Sequence, residues 1–191
     1  MSAICVYCGS ASGKGEVYLA AAKALAEELC NRKLDLIYGG ASIGLMAETA
    51  NTVMANGGSV TGVMPRNLFR QEVPHHNLTN MIYVDSMHER KSKMADLADG
   101  FIALPGGLGT FEELFEILTW AQLGIHKKPC GVLNVNGYYD YFIKLLDTAT
   151  EEKFIRPVHR EMLIIEEDPK SLLDKFASYS PPDKQKWVDL S

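Results

Sequence analysis

Residues 100–124 read GFIALPGGLGTFEELFEILTWAQLG. Five apolar residues (100–104) run without alternation, a glycine-rich turn follows (105–110), and apolar positions then recur at helical spacing. An unbroken apolar run flanked by turn signals is the mark of a strand covered on both faces. A strand of this kind, a tight turn and a long amphipathic helix make one unit of a parallel α/β sheet.

The same unit recurs outward in both directions. Strands are predicted at 3–8, 34–38, 59–64, 81–84, 100–104, 130–135 and 163–166, and helices at 16–31, 44–56, 86–98, 110–124, 138–152 and 169–178. The alternation predicts a single-domain α/β fold built on a doubly wound parallel sheet. It spans residues 1–178, and 179–191 form an irregular C-terminal tail that Trp187 is placed to dock. No internal repeat, low-complexity tract or linker interrupts the pattern.

The chain has 191 residues, 47% of them hydrophobic and 23% charged, enough for one well-cored domain. A formal net charge of −5 argues against a nucleic-acid partner held through backbone phosphates. The N-terminus lacks a basic and apolar leader, and no apolar run approaches the roughly 20 residues that span a bilayer. These features, with Cys5, Cys8, Cys30 and Cys130 in segments that read as buried strand or helix, point to a cytoplasmic protein without a membrane partner. Cys5 and Cys8 are three apart on a strand and so face opposite ways, which is poor geometry for a shared metal.

In a doubly wound sheet, ligands bind beyond the carboxyl ends of the strands. Three turns on that edge carry glycines: YCGSASGKG after the first strand, YGGASIG after the second and PGGLGT after the fifth. Together they predict a polar crevice of nucleotide size, with Gly9, Ser10, Gly40 and Gly106 among its candidates. Gly106, Gly107 and Gly109 allow positive φ and close backbone approach, and Thr110 stands where the next helix is expected to begin. The turn is neither a Walker loop, since G-K-[ST] is missing, nor G-x-G-x-x-G.

Two readings of Glu113 stand side by side. Thr110 and Glu113 fit the T-x-x-E capping box, in which the glutamate only closes the helix start. The alternative aims the carboxylate at a ligand. Glu112 reads as an acidic residue suited to a first helical turn. Arg90 and Lys91 fall close to Met87 and Met94, on a face that is either solvated or turned to the crevice, where an anion would partner them. Glu89 and Lys93 form an i, i+4 pair. His75 and His76 read as loop residues, Glu72 lies on the long 65–80 connection, and Thr119 shares a helix face with Glu112.

PGGLGTFEE and MHERK match the two signatures of the LONELY GUY (LOG) phosphoribohydrolases. EILTWAQLGIHKKP, GVLNVNGYYD and YGGASIGLM also resemble that family, and the likeness runs from about Ile4 to Phe176. It implies a Rossmann-like enzyme that cleaves the N-glycosidic bond of a purine nucleoside 5'-monophosphate, either AMP or a cytokinin riboside 5'-monophosphate, to free base and ribose 5-phosphate. By position it implies substrate contacts from Glu72, Arg90, Lys91, Gly107, Leu108, Gly109, Thr110, Phe111, Glu112, Glu113 and Thr119. Arg90 and Glu113 fall at the catalytic pair, with Lys91 near the phosphate and Glu72 at a ribose hydroxyl. It also implies a homodimer with active sites near the interface.

The chain departs from the pattern at Ala41 and Ala47, where glycines are expected. The chemistry needs no metal and no cofactor. Relatives of this type have been labelled lysine decarboxylases, but the chain is short for a pyridoxal-phosphate enzyme and offers no Schiff-base lysine setting. The alternative function is a non-catalytic nucleotide or molybdenum-cofactor carrier of related fold. Such a carrier needs the phosphate cradle but not the Glu113–Arg90 pair.

Overall fold

Strand β1 (Ala3–Tyr7) is buried at all five of its positions, as its unbroken apolar sequence requires. The computed structural model describes residues 1–66 and 73–182. Among these, β1 is joined by β2 (Asp35–Tyr38), β3 (Val60–Pro65), β4 (Asn80–Val84), β5 (Gly100–Ala103), β6 (Cys130–Leu133) and β7 (Leu163–Glu166). The seven strands form one sheet in the order β4-β3-β2-β1-β5-β6-β7. Every neighbouring pair is parallel. The expected α/β doubly wound architecture is therefore present.

Seven helices are described: α1 (Val17–Asn31), α2 (Gly44–Ala55), α3 (Met87–Leu97), α4 (Leu108–Gln122), α5 (Asp140–Glu151), α6 (Pro157–Arg160) and α7 (Pro169–Ala177). The four-residue α6 and a 3₁₀ turn at Val135–Gly137 are additions to the pattern read from the sequence. On one face of the sheet, Leu25 and Leu29 of α1, Leu45 of α2 and Leu172 of α7 pack on Ile4, Val6 and Leu36. On the other, Met94 of α3, Leu114 and Ile117 of α4 and Leu146 of α5 pack on Cys5, Tyr7 and Ile37.

Successive β1 side chains thus enter different cores. Cys5 and Cys8 do point to opposite faces, and all four cysteines are unbridged. Cys30, at the end of α1, is only half-buried, because the terminal turn of a helix is covered on fewer sides than its middle.

The winding reverses between β1 and β5. From β1 the chain builds outward through β2 and β3, and from β5 through β6 and β7. Two adjacent strands whose connections leave in opposite directions open a crevice at their carboxyl ends. The long connection to β4 is tied back near that crevice. The Ser42 N–H donates to the Val73 carbonyl at 2.8 Å, and the His75 N–H to the Gly40 carbonyl at 2.9 Å. His75 is a loop residue as expected, and a buried one: its Nε2 meets Asn51 Oδ1 at 2.9 Å. Glu72 and Trp187 lie outside the described residues.

Candidate active site

At the switch point, the turns after β1 and β5 touch. The Gly9 N–H donates to the Pro105 carbonyl at 3.1 Å and the Leu104 N–H to the Tyr7 carbonyl at 2.9 Å. A Cβ on Gly106 would lie 2.1 Å from Thr110 Oγ1 and 2.8 Å from the Gly9 nitrogen. That glycine is demanded by close approach. Two consecutive tyrosines brace the turn from behind: the Tyr138 hydroxyl donates to the Gly106 carbonyl, and the Tyr139 hydroxyl to the Leu104 carbonyl at 2.7 Å.

The glycine turn differs from expectation in two ways. Gly106, Gly107 and Gly109 are absent from the glycines of positive φ, and only Gly106 is required sterically. Nothing lies within 4 Å of where a Cβ on Gly107 or Gly109 would sit. The second difference concerns the helix start. The N-cap of α4 is Gly107, extended at φ −98° and ψ −156°, and the helix begins at Leu108. Thr110 is therefore inside the first turn and buried, so the T-x-x-E capping box does not form. Glu112 and Glu113 fall a turn deeper in the helix than expected. With no side chain capping α4, its leading amides and the helix dipole favour an anion.

The capping geometry appears instead on α3. Ser86 Oγ accepts from the Glu89 N–H at 3.1 Å, and the Glu89 carboxylate turns back to accept from the Asp85 N–H at 2.8 Å. The next two residues are buried, against the usual fate of a charged helical cluster. Arg90 donates from Nε to the Val63 carbonyl at 3.0 Å and from Nη2 to the Gly39 carbonyl at 2.9 Å. Lys91 Nζ lies 2.5 Å from Glu112 Oε1 and 2.9 Å from Glu116 Oε1. Burial pulls the Lys91 pKa down, but the hydrogen bonds it donates to the two carboxylates outweigh it and leave the pKa raised.

A cavity of about 290 Å³ occupies the switch point. It is lined by Arg90 of α3 and by Gly107, Leu108, Gly109, Thr110, Glu112 and Glu113 of the turn and α4, with Gly9 and Ser10 across from them. A second cavity of about 310 Å³ behind the turn shares Gly9, Ser10 and Gly107 with it, and Gly106 borders that one.

Four candidates are placed elsewhere. Gly40 takes φ +84° in a turn while its neighbour Gly39 faces the cavity. Phe111 stacks on Tyr138 at 6.3 Å between ring centroids. Lys91 is turned to Glu112 and Glu116. Thr119 is exposed, donates to the Phe115 carbonyl at 2.7 Å, and borders a separate cavity of about 100 Å³ between α4, α5 and α6.

Tyr7, Cys8, Gly39, Met46, Met87 and Met94 also line the main cavity. Met87 and Met94 were visible beside Arg90 in the sequence; the others carried only their nearness to glycine turns. Burial, reinforced by the negative charge of Glu113, pushes the Cys8 thiol well above its usual pKa. Cys5 and Tyr7 shift the same way, by burial first and with Glu113 contributing. The Glu113 charge is thus felt at the end of β1, on the side of the cavity. No group of three or more His, Cys, Asp or Glu side chains is gathered for a metal among the described residues.

Comparison with known proteins identifies relatives of the chain. Residues 46–176 match the family model described as "Possible lysine decarboxylase". Cytokinin riboside 5'-monophosphate phosphoribohydrolase LOG5 of Arabidopsis thaliana is 47% identical over 189 residues, covering 96% of this chain and 83% of that protein. The probable cytokinin riboside 5'-monophosphate phosphoribohydrolase LOGL9 of Oryza sativa subsp. japonica is 49% identical over 178 residues, covering 93% and 78%. Among solved structures, the molybdenum cofactor binding protein from Rippkaea orientalis superposes with a TM-score of 0.69 at 18% identity, covering 93% of this chain and 96% of that one. That likeness shows the fold alone. The relatives identical at nearly half of all positions do more: the chain belongs to the LOG family of phosphoribohydrolases.

Proposed function

We propose that the protein hydrolyses the N-glycosidic bond of a nucleoside 5'-monophosphate, AMP or a cytokinin riboside 5'-monophosphate, releasing the base and ribose 5-phosphate. The observation that carries this reading is that Arg90 and Glu113, from two different helices, line one cavity floored by a glycine turn. The named activity of the Arabidopsis and rice relatives supports it.

The 5'-phosphate is received at the start of α4, where the backbone of Gly107, Leu108, Gly109 and Thr110 is open to the cavity. Breaking the bond to the base builds positive charge on C1' and the ring oxygen. The Glu113 carboxylate, one turn further along, stabilises that charge and directs attack at C1'. The C1'–N bond breaks with its electrons going to the base, a water oxygen bonds C1', and the water's proton balances the departing base. Arg90, oriented by two backbone carbonyls, supplies positive charge to the phosphate or to the leaving base.

The pair separates this reading from the carrier alternative, which needs no carboxylate at C1'. A decarboxylase acting through a lysine Schiff base is disfavoured by Lys91, whose ammonium is held by two carboxylates. We further place the enzyme in the cytoplasm, consistent with four unbridged cysteines, and as a homodimer joined through α4 and α5. Exposed Phe115, Tyr141 and Leu145 support that surface, and Thr119 there would reach a ligand only across the interface.

Incubating the protein with AMP and with isopentenyladenosine monophosphate, and following base and ribose 5-phosphate, tests the reading. Turnover of either supports it. Tight binding without turnover points to a carrier, and neither binding nor turnover refutes both.

A further inference from the structure

Arg90 and Lys91 are neighbours on α3, and Glu112 and Glu113 are neighbours on α4. Arg90 of α3 lines the cavity, as do both Glu112 and Glu113 of α4, and Arg90 and Glu113 are the candidates for chemistry. The remaining two meet each other: Lys91 Nζ to Glu112 Oε1 is 2.5 Å, and Glu116, one turn along α4, adds a second carboxylate at 2.9 Å. The Lys91 side chain is only 8% exposed, so water screens the contact little on its side. Because adjacent residues on a helix are rigidly spaced, fixing Lys91 against Glu112 also fixes Arg90 relative to Glu113.

We infer that Lys91 is a positioning residue, a strut that locks α3 to α4 through Glu112 and Glu116 and so sets the separation of Arg90 and Glu113. This rests on the nucleotide-hydrolysis reading above. It also replaces the expected role of Lys91 as a phosphate contact: the ammonium acts on protein carboxylates, and its influence on substrate passes through the helices. A misplacement of about 1 Å between reacting groups can cost on the order of 10²-fold in rate.

The test is a cycle of Lys91→Met, Glu112→Gln and the double variant, with Lys91→Arg as the conservative control. AMP hydrolysis and thermal melting are measured for each. The strut predicts that Lys91→Met lowers kcat by about 10- to 100-fold while the KM for AMP moves far less. Glu112→Gln lowers kcat in the same direction, the double variant is no worse than the poorer single one, and Lys91→Arg recovers most of the rate. Melting temperatures show the same non-additivity.

A Lys91→Met variant that raises KM alone, with Glu112→Gln unaffected, overturns the proposal in favour of direct phosphate contact. Additive losses or an unchanged kcat overturn it as well. If the wild-type protein hydrolyses neither nucleotide, the functional reading fails separately. The strut then stands or falls on the melting cycle, where additivity refutes it.

Discussion

Arg90 Nη2 lies 2.9 Å from the carbonyl oxygen of Gly39, a contact that joins α3 to the turn after β2. With Nε given to Val63, the plane of the guanidinium is set by two backbone carbonyls, one in β3 and one in the turn after β2. A Cβ on Gly39 would sit 2.1 Å from Nη2, so the glycine is what lets the arginine in. Arg90→Lys cannot reproduce a planar fork. We expect kcat/KM to fall by about 10²-fold or more, and the unfolding free energy from urea titration to fall by about 1–3 kcal/mol for the carbonyls left without a donor.

Glu113→Gln keeps size and packing but removes the charge. Turnover of AMP should drop by about 10²–10³-fold, with AMP binding by calorimetry retained. A variant of full activity would leave Glu113 without a role in the chemistry.

The brace behind the glycine turn can be tested from the far side. Tyr138→Phe removes the hydroxyl that donates to the Gly106 carbonyl and leaves the ring stacked on Phe111. We expect a stability loss of about 1 kcal/mol with a raised KM for AMP. Gly106→Ala is the harsher change, since its methyl meets Thr110 Oγ1 and the Gly9 nitrogen. Overpacking of this kind costs about 1–3 kcal/mol and should abolish binding.

Two histidines are wired alike. His75 offers Nε2 to Asn51 and receives the Asn77 N–H at Nδ1; His126 offers Nε2 to the Ile117 carbonyl and receives the Lys128 N–H. A second ring proton would set N–H against N–H. Burial lowers both pKa values below 6.5, helped by His76 at His75 and by Lys128 at His126. The unfolded chain then binds more protons in this window, so stability rises with pH through it. It is fully present above about pH 6.5 and is lost as pH falls toward the lowered native values. Urea midpoints at pH 7.5 and 5.5 should differ more for the wild type than for His75→Asn.

The sheet was legible because its central strands β1, β5 and β6 are covered on both faces and leave unbroken apolar runs. Parallel strands also bring glycine turns to one edge, which made the crevice legible. The start of α4 was not, because T-x-x-E spacing resembles a cap wherever it occurs, while the observed start follows from the close approach of Gly106 to Gly9. Lys91 and Glu112 are 21 residues apart, and no local pattern reveals that they meet. Gly39 and Met46 join the cavity only because α2 and the β2 turn are folded over it.

The two lips of the site belong to strands far apart in the chain. Asp99, just before β5, accepts from the Ser2 N–H, just before β1, across 97 positions. The cavity therefore has no local precursor: neither lip can bind until that closure is made. Pairing over such a separation is slow to form. In a refolding experiment, regain of nucleotide binding should lag behind regain of helical signal, and binding then reports completion of the β1–β5 seam.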